Sequence, residues 1–398
     1  MIRIKPVMAI AQSERRINRR LVRYWVFVSL AYLIALFIYA QLAYVHGLFS
    51  SYSGTVGAVS PRFLLSFIGV LYAIIFLVGT IFLAFDVRAR DNRDRMTEVL
   101  DSRPYTNLEL VSGRFLGIFI SSWIPIVVLA VIFELLGFIL QGLGAPVGEP
   151  VETYSLFSFV FIMAVPALSF TIALTFFVTL LVRNRLVAAV ILVASIIGIY
   201  CAMTLLSSAN GAIVDITGIW ATFFCSEIVP QFSTPEGWLQ RLSVLLAAFG
   251  LIGLSAVVHP RLDGGSRLKL AAGSIIVMIF ALSLTGYLFY SNSKYLRMLD
   301  AWKKAHAAVV DEAVPDLKKI TGEVKINPGK DLFLDLDITF AAPDNSSLEK
   351  ALFTLNPGQT VMSVKDASGK DINFKHENGL LVANLPQILE PGKGTTLH

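Results

Sequence analysis

The sequence is short of charge. Of 398 residues, 15% are Asp, Glu, Lys or Arg, against roughly a quarter in soluble globular chains, and 55% are hydrophobic. Mean hydropathy is +0.69. That balance excludes an ordinary soluble protein over most of the length. Cysteine is scarce too. Two in the chain, Cys201 and Cys225, exclude a disulfide framework and a multi-cysteine zinc module, leaving at most one bridge between them. The net charge of +5 does not imply a nucleic-acid partner. The surplus is mostly arginine flanking apolar runs, where it orients helices in a bilayer.

What the chain does have is long apolar runs, filling the region from Tyr24 to Tyr290. A spanning helix needs about 20 mostly apolar residues. Seven stretches qualify: roughly 24–45, 64–86, 115–140, 155–182, 186–207, 242–259 and 270–290. The first is not a cleaved signal peptide, because its apolar run is too long and no small-x-small site follows. Orientation comes from the loops. With the N-terminus in the cytoplasm, the inner segments hold Arg3, Lys5, Arg15, Arg16, Arg19, Arg20 and Arg23, then Arg88, Arg90, Arg93, Arg95, Arg103 and Arg114, then Arg183 and Arg185, then Arg261, Arg267 and Lys269. The outer loops hold only Arg62 and Arg241. The expected fold class is a polytopic α-helical membrane protein of about seven transmembrane helices, followed by a small extracytoplasmic antiparallel β-domain.

Two segments admit two readings each. Residues 208–235 form either an eighth span or an outer-leaflet, re-entrant hairpin; Asp215 and Glu227 favour the hairpin, since an unpaired carboxylate in hydrocarbon is costly. Residues 1–23 are either a basic flank that sets orientation or an amphipathic helix on the inner membrane surface, with Ile17, Leu21 and Tyr24 at helical spacing.

The largest inner loop, RARDNRDRMTEVLDSRPYTNLELVSGRFLG (88–117), carries more than an orientation signal. Asp91, Asp94, Glu98, Asp101 and Glu109 are interleaved with its arginines, a mixture that suits a partner-facing helix. A short helix is expected over 92–100, with Met96, Val99 and Leu100 on one side and Asp91 four residues before Arg95. Pro104 ends it. Thr106 or Asn107 then caps the next helix, with Glu109 in its first turn. Gly113 and Gly117 permit close packing where that helix enters the membrane.

This run resembles the loop between the second and third spans of type-2 ABC exporter permeases. In that family an acidic residue, two apolar residues, a small residue, a basic residue and proline precede a Gly-Arg/Lys at the next span. Glu98, Val99, Leu100, Ser102, Arg103, Pro104, Gly113 and Arg114 match that pattern. The resemblance implies a coupling helix that docks a separate ATP-binding subunit through Arg95, Met96, Glu98, Val99, Leu100, Ser102, Arg103 and Pro104. It also implies pairing with a second permease copy, identical or sister. ATP and magnesium would be bound by the partner, and this chain would hold no cofactor.

From Ser291 the chain reads as a soluble domain. A helical stalk is expected over 291–320, ending near Pro315, and a β-domain over 321–398. In DLFLDLDITF the period is two, with Leu332, Leu334, Leu336, Ile338 and Phe340 on one face. Further strands are expected at 360–365, 371–376 and 380–385, with hairpin turns at DASGKD and at HENG, where Asn378-Gly379 suits a primed turn. The order of strand, Leu-Asn-Pro turn, strand, hairpin and Pro-Gly before a last strand resembles the N-terminal β-domain of gluzincin (aminopeptidase N-like) zinc aminopeptidases. In that family a zinc-binding catalytic domain with H-E-x-x-H and Gly-x-Met-Glu-Asn follows. Neither motif occurs here, so this stretch is expected to be the front part of a longer fusion, with zinc only in a part beyond His398.

Several signals carry no site. In H-E-N-G-L (376–380), Leu380 stands where a second histidine is needed, and a turn cannot put two ligands on one helix face. P-G-K-G-T-T (391–396) has Gln387 where a phosphate loop needs glycine, so any ATPase is a separate chain. Glu134 lies 20 residues beyond Arg114, about 30 Å along a helix and so near the outer interface. Asp335 and Asp337 read as a solvated strand face. The sequence-based expectation is thus a non-enzymatic exporter permease in a bacterial-type inner membrane, N-terminus inside and C-terminal domain outside. The alternative is a multi-span anchor for a zinc aminopeptidase. An ATP-independent carrier is disfavoured, because no midplane charge pair and no internal repeat stands out.

Overall fold

A computed structural model describes residues 3–52, 75, 77–85, 104–144, 156–182, 184–206, 208–216, 235–261, 265–327 and 331–398. The chain divides into two compact units, Met1–Tyr290 and Ser291–His398.

The first unit is helical. α1 (Ile4–Arg20) and α2 (Val22–Tyr52) are separated by one extended residue, Leu21, at φ −80° and ψ 125°. α3 (Asn107–Gly142) is followed by a π-helical turn (Ser158–Met163) that runs into α4 (Ala164–Leu181). α5 (Arg185–Leu205) is capped by the Asn184 side chain, which accepts from the Leu186 and Val187 amides at 2.9 and 3.4 Å. Then come the short α6 (Ser208–Val214), α7 (Pro235–Val258) and α8 (Arg267–Ala308).

Among the described residues six helical stretches are long and apolar enough to cross a bilayer: Val22–Gln41, Asn107–Leu140, Ser158–Leu181, Leu186–Leu205, Pro235–Val258 and Arg267–Ala308. The expected second span, 64–86, falls mostly outside the described residues; 77–84 are helical and bury Leu77, Ile81 and Leu83.

Two apolar clusters hold the unit together. One joins Ala31, Ala35 and Tyr39 of α2 to Leu129 and Phe133 of α3 and to Phe159 and Met163 of the π turn. The other joins Val111, Phe115 and Ile118 of α3 to Ile172 and Phe176 of α4 and to Ala248 and Ile252 of α7. α3 therefore runs through both clusters and organises the bundle.

The second unit departs from the expected stalk. α8 is a single helix of 42 residues, about 63 Å at 1.5 Å per residue, so the last span and the stalk are one element. It ends at Ala308, and the chain is already a strand at β1 (Asp316–Asn327), not helical to 320. β2 (Asp331–Ala341), β3 (Leu348–Thr354), β4 (Phe374–Glu377), β5 (Leu380–Leu389) and β6 (Gly394–Leu397) complete the set. They make two three-stranded antiparallel sheets, β1-β2-β6 and β3-β5-β4, where one sheet was expected.

β3 is the strand expected before the Leu355-Asn356-Pro357 turn. Residues 360–365 form no strand and contribute one bridge, Lys365 to Asp371. The Asn378-Gly379 turn does have both residues at positive φ, 50° and 79°. Phe340, Leu348, Ala351, Val364, Ile372, Ala383 and Leu397 form the unit's core.

Candidate functional site

Pro104, at the end of the charged segment, is an exposed bend. Two residues on, Thr106 and Glu109 close a reciprocal capping box. The Glu109 amide donates to Thr106 Oγ1 at 3.2 Å, and the Thr106 amide donates to Glu109 Oε2 at 3.0 Å. The Glu109 side chain is nearly inaccessible, and its negative charge lies in the first turn of α3, where the helix dipole favours an anion.

Arg3 closes over the same carboxylate from the chain's N-terminal end. Its amide and Nε donate to Oε1 at 2.8 and 3.0 Å, and Nη2 donates to Oε2 at 2.9 Å. The same Nη2 donates to the Pro104 carbonyl. The hydrogen bond and the charge of Glu109 raise the Arg3 guanidinium above its ordinary value.

The link between α7 and α8 grips the other side. Arg261 donates from Nη1 to the Tyr105 carbonyl at 2.6 Å and lays its guanidinium over the Tyr105 ring, 4.6 Å from the centroid. Asn107 Nδ2 and Arg267 Nη2 both donate to the Arg261 carbonyl, at 2.8 and 2.9 Å. Residues 104–109 are thus held between the start of α1 and the α7–α8 link.

α1 continues this support along α3. A Cβ placed on Gly113 would stand 2.7 Å from Ile10 Cβ and 2.9 Å from the Val7 carbonyl oxygen. One on Gly117 would stand 2.6 Å from Glu14 Cβ and 2.8 Å from the Ala11 oxygen. The two glycines open the groove in which α1 lies. Ala11, Glu14 and Asn18 are the residues α1 buries. The segment 1–23 is therefore helical from Ile4, but its buried face is set against protein. Ile17, Leu21 and Tyr24 do not share a helical face, because the helix breaks at Leu21.

Higher on α3, Pro125 supplies no amide to the Ser121 carbonyl four residues back. The Tyr24 hydroxyl donates to that carbonyl at 3.1 Å, and the Tyr32 hydroxyl donates to the Pro125 carbonyl at 2.7 Å. Trp123 Nε1 donates to the Val160 carbonyl in the π turn at 2.9 Å. The proline interruption is thereby braced from both neighbouring helices.

Of the residues expected to form the coupling surface, Arg95, Met96, Glu98, Val99, Leu100, Ser102 and Arg103 lie outside the described residues, as does the expected helix 92–100. Pro104 is in place, and Gly113 and Arg114 sit in the second turn of α3, Arg114 half-buried. Sequence reasoning missed Arg3 and Arg261, counting them only as positive charge. Their partners are some 100 and 150 residues away. The Thr-x-x-Glu box was readable from spacing.

A second polar cluster sits at the start of α7, at the other end of that helix from Arg261. Arg241 and Asp215 are both buried. Arg241 donates to the Ile216 carbonyl at 3.0 Å, to Gln240 Oε1 at 2.6 Å and to the Asp215 carbonyl. Gln240 Nε2 donates to the Ile213 and Asp215 carbonyls at 3.0 and 2.7 Å. Arg241 and Gln240 thus hold the backbone of the buried Asp215, and Arg241 belongs to a helix and not to a loop. Of the ambiguous 208–235 segment, 208–216 and the first residue of α7 are described; Ser208–Val214 is a short helix packed on α5, where Gly211 meets the Met203 carbonyl. Cys201 is an exposed free thiol on α5; Cys225 lies outside the described residues.

In the second unit Asp335 and Asp337 both face His398, at 3.2 and 2.9 Å. Among the described residues no three His, Cys, Asp or Glu side chains gather as a metal site. His376 and Glu377 lie in the β4–β5 hairpin, paired with Leu381 and Leu380. No protein-family model and no curated protein matches this chain.

Proposed function

We propose that this chain is the membrane-spanning permease subunit of an ATP-driven exporter of the type-2 ABC class. It has seven spans, its N-terminus in the cytoplasm and its Ser291–His398 unit outside. A separate ATP-binding subunit docks on the loop 92–104, and a second permease copy completes the transporter. The chain performs no covalent chemistry itself.

The observation that carries this reading is the clamp at residues 104–109. A loop serving only as a connector needs no such hold. Here a buried carboxylate, two arginines and a capping box tie its end to α1, α3 and the α7–α8 link. A displacement of the loop is then transmitted as a rigid movement of α3, which runs through both apolar clusters. The match of Glu98 to Pro104, Gly113 and Arg114 to the exporter pattern supports the same reading.

The test is co-purification of the full chain with its native neighbours in mild detergent, followed by an ATPase assay. Glu98→Arg and the double change Val99→Asp/Leu100→Asp are run beside it. The expected result is a P-loop protein that co-purifies, hydrolyses ATP, and is lost from both variants while they stay folded. A well-folded wild-type chain that retains no ATPase refutes the permease reading. The anchored-aminopeptidase reading would then be pursued by expressing whatever coding sequence follows codon 398.

A further inference from the structure

Within the first unit lies an apolar cavity of about 250 Å³ between residues 77–81, α4 and α5. Leu77, Ile81, Leu174, Leu192, Ile196 and Met203 form much of its wall. Two lining residues carry hydroxyls. Thr171 donates its own to the Ala167 carbonyl at 2.9 Å, within α4. Tyr200 and its neighbour Ile197 are more than half exposed, so they stand at the rim. The rim continues onto the outward side of α5, where Val190, Ile191 and Ile197 are exposed apolar side chains.

We infer that this cavity holds a single acyl chain of a bilayer phospholipid. Three observations lead there. The wall offers a water molecule almost no partner, and a water needs two to four. The volume exceeds the roughly 150 Å³ of a dry apolar cavity that takes benzene, and at about 30 Å³ per water-sized unit it accepts roughly eight chain carbons. That is one chain end and not a whole lipid, so the headgroup stays outside. Finally, the mouth is continuous with the exposed apolar surface of a helix long and apolar enough to span a membrane. A chain entering from lipid loses no water and gains the dispersion contacts that an empty cavity forfeits. The inference needs unit one to be membrane-embedded and does not depend on ATPase docking.

Leu192 and Met203 are buried, so a bilayer chain reaches them only through the cavity. Ile276 on α8 is exposed and meets lipid directly. The full chain is reconstituted in vesicles of phosphatidylcholine carrying a photoactivatable diazirine in mid-chain, irradiated, and its adducts mapped by peptide mass spectrometry. Adducts are expected on Leu192 and Met203 as well as on Ile276. Leu174→Trp, which fills the cavity from α4, is expected to lower the first two roughly tenfold and leave Ile276 unchanged, the effect of weakening occupancy by one decade. Thr171→Phe fills the same space from another position and serves if Leu174→Trp does not reach the membrane. Labelling of Ile276 with Leu192 and Met203 at background overturns the inference and leaves the cavity dry or reserved for another apolar solute. Labelling of the buried pair that neither filling variant reduces overturns it equally.

Discussion

Glu109 does two jobs with one carboxylate, closing the cap of α3 and receiving Arg3. The two can be separated. Glu109→Gln keeps a capping-box side chain and removes the charge; Glu109→Leu removes both. Glu109→Leu is expected to cost about 1–3 kcal/mol, since it strands the Thr106 amide and the buried groups around it, and Glu109→Gln less. Thermal unfolding in detergent micelles measures the difference, and equal losses would show that the cap contributes nothing.

Tyr24 makes a sharper case. Tyr24→Phe leaves the Ser121 carbonyl without the donor that replaces the missing Pro125 amide, for roughly 1–3 kcal/mol. Pro125→Ala restores that amide, so in its background Tyr24→Phe should cost about 1 kcal/mol less, a coupling that a double-mutant cycle reads directly. Additive losses would mean the tyrosine serves some other purpose. At this scale the sequence was half legible. Thr106-x-x-Glu109 and the interrupting Pro125 lie in plain spacing. That Arg3, Arg261, Tyr24 and Tyr32 complete them is not, because those contacts join residues far apart in the chain.

α1 is the element whose role the sequence left open. Its arginines and scattered apolar residues suit a membrane-surface helix or a solvated flank equally well. What decides between them is the groove on α3. Gly113 and Gly117 are one turn apart and let the α1 backbone come close enough that Val7 and Ala11 carbonyls lie on the glycine surface. Gly117→Ala is therefore expected to destabilise the protein by about 1–3 kcal/mol and to expose Arg15 and Arg16 to trypsin, because the added methyl meets backbone that cannot yield. Unchanged stability and unchanged cleavage would mean that α1 is only loosely laid on α3.

The β1–β2 hairpin shows the same division. Its pairing puts Ile320, Val324 and Ile326 on one face with Ile338, Leu334 and Leu332. The period of two in the sequence announced that face. β6 pairs with only the Ile338–Ala341 end of β2, and on the apolar face Ile320, Val324, Ile326 and Leu332 stay exposed, which no local pattern could reveal.

At the scale of the whole molecule the testable claim is orientation. In a background with Cys201 and Cys225 replaced by alanine, Ala367→Cys in the exposed turn after Asp366 should react with a membrane-impermeant maleimide on intact cells. Ser266→Cys, between α7 and α8, should react only after permeabilisation. The reverse pattern, or protection of both, overturns the proposed topology.

Apolar run length by itself pointed to several helices long enough to cross a bilayer, and the period of two to a β-rich C-terminal part. Both are sums over local sequence, and a bilayer or a pleated strand reads them locally. Local residue spacing placed a cap of α3 at Thr106 or Asn107 and a primed turn at Asn378-Gly379 for the same reason. Only the tertiary structure decided that α1 lies against protein, that Asp215 and Arg241 are buried together, that Arg3 and Arg261 hold residues 104–109, and that an apolar cavity is left beside α5. Each of these depends on which distant surfaces meet, and the energy of such meetings appears only when the helices pack.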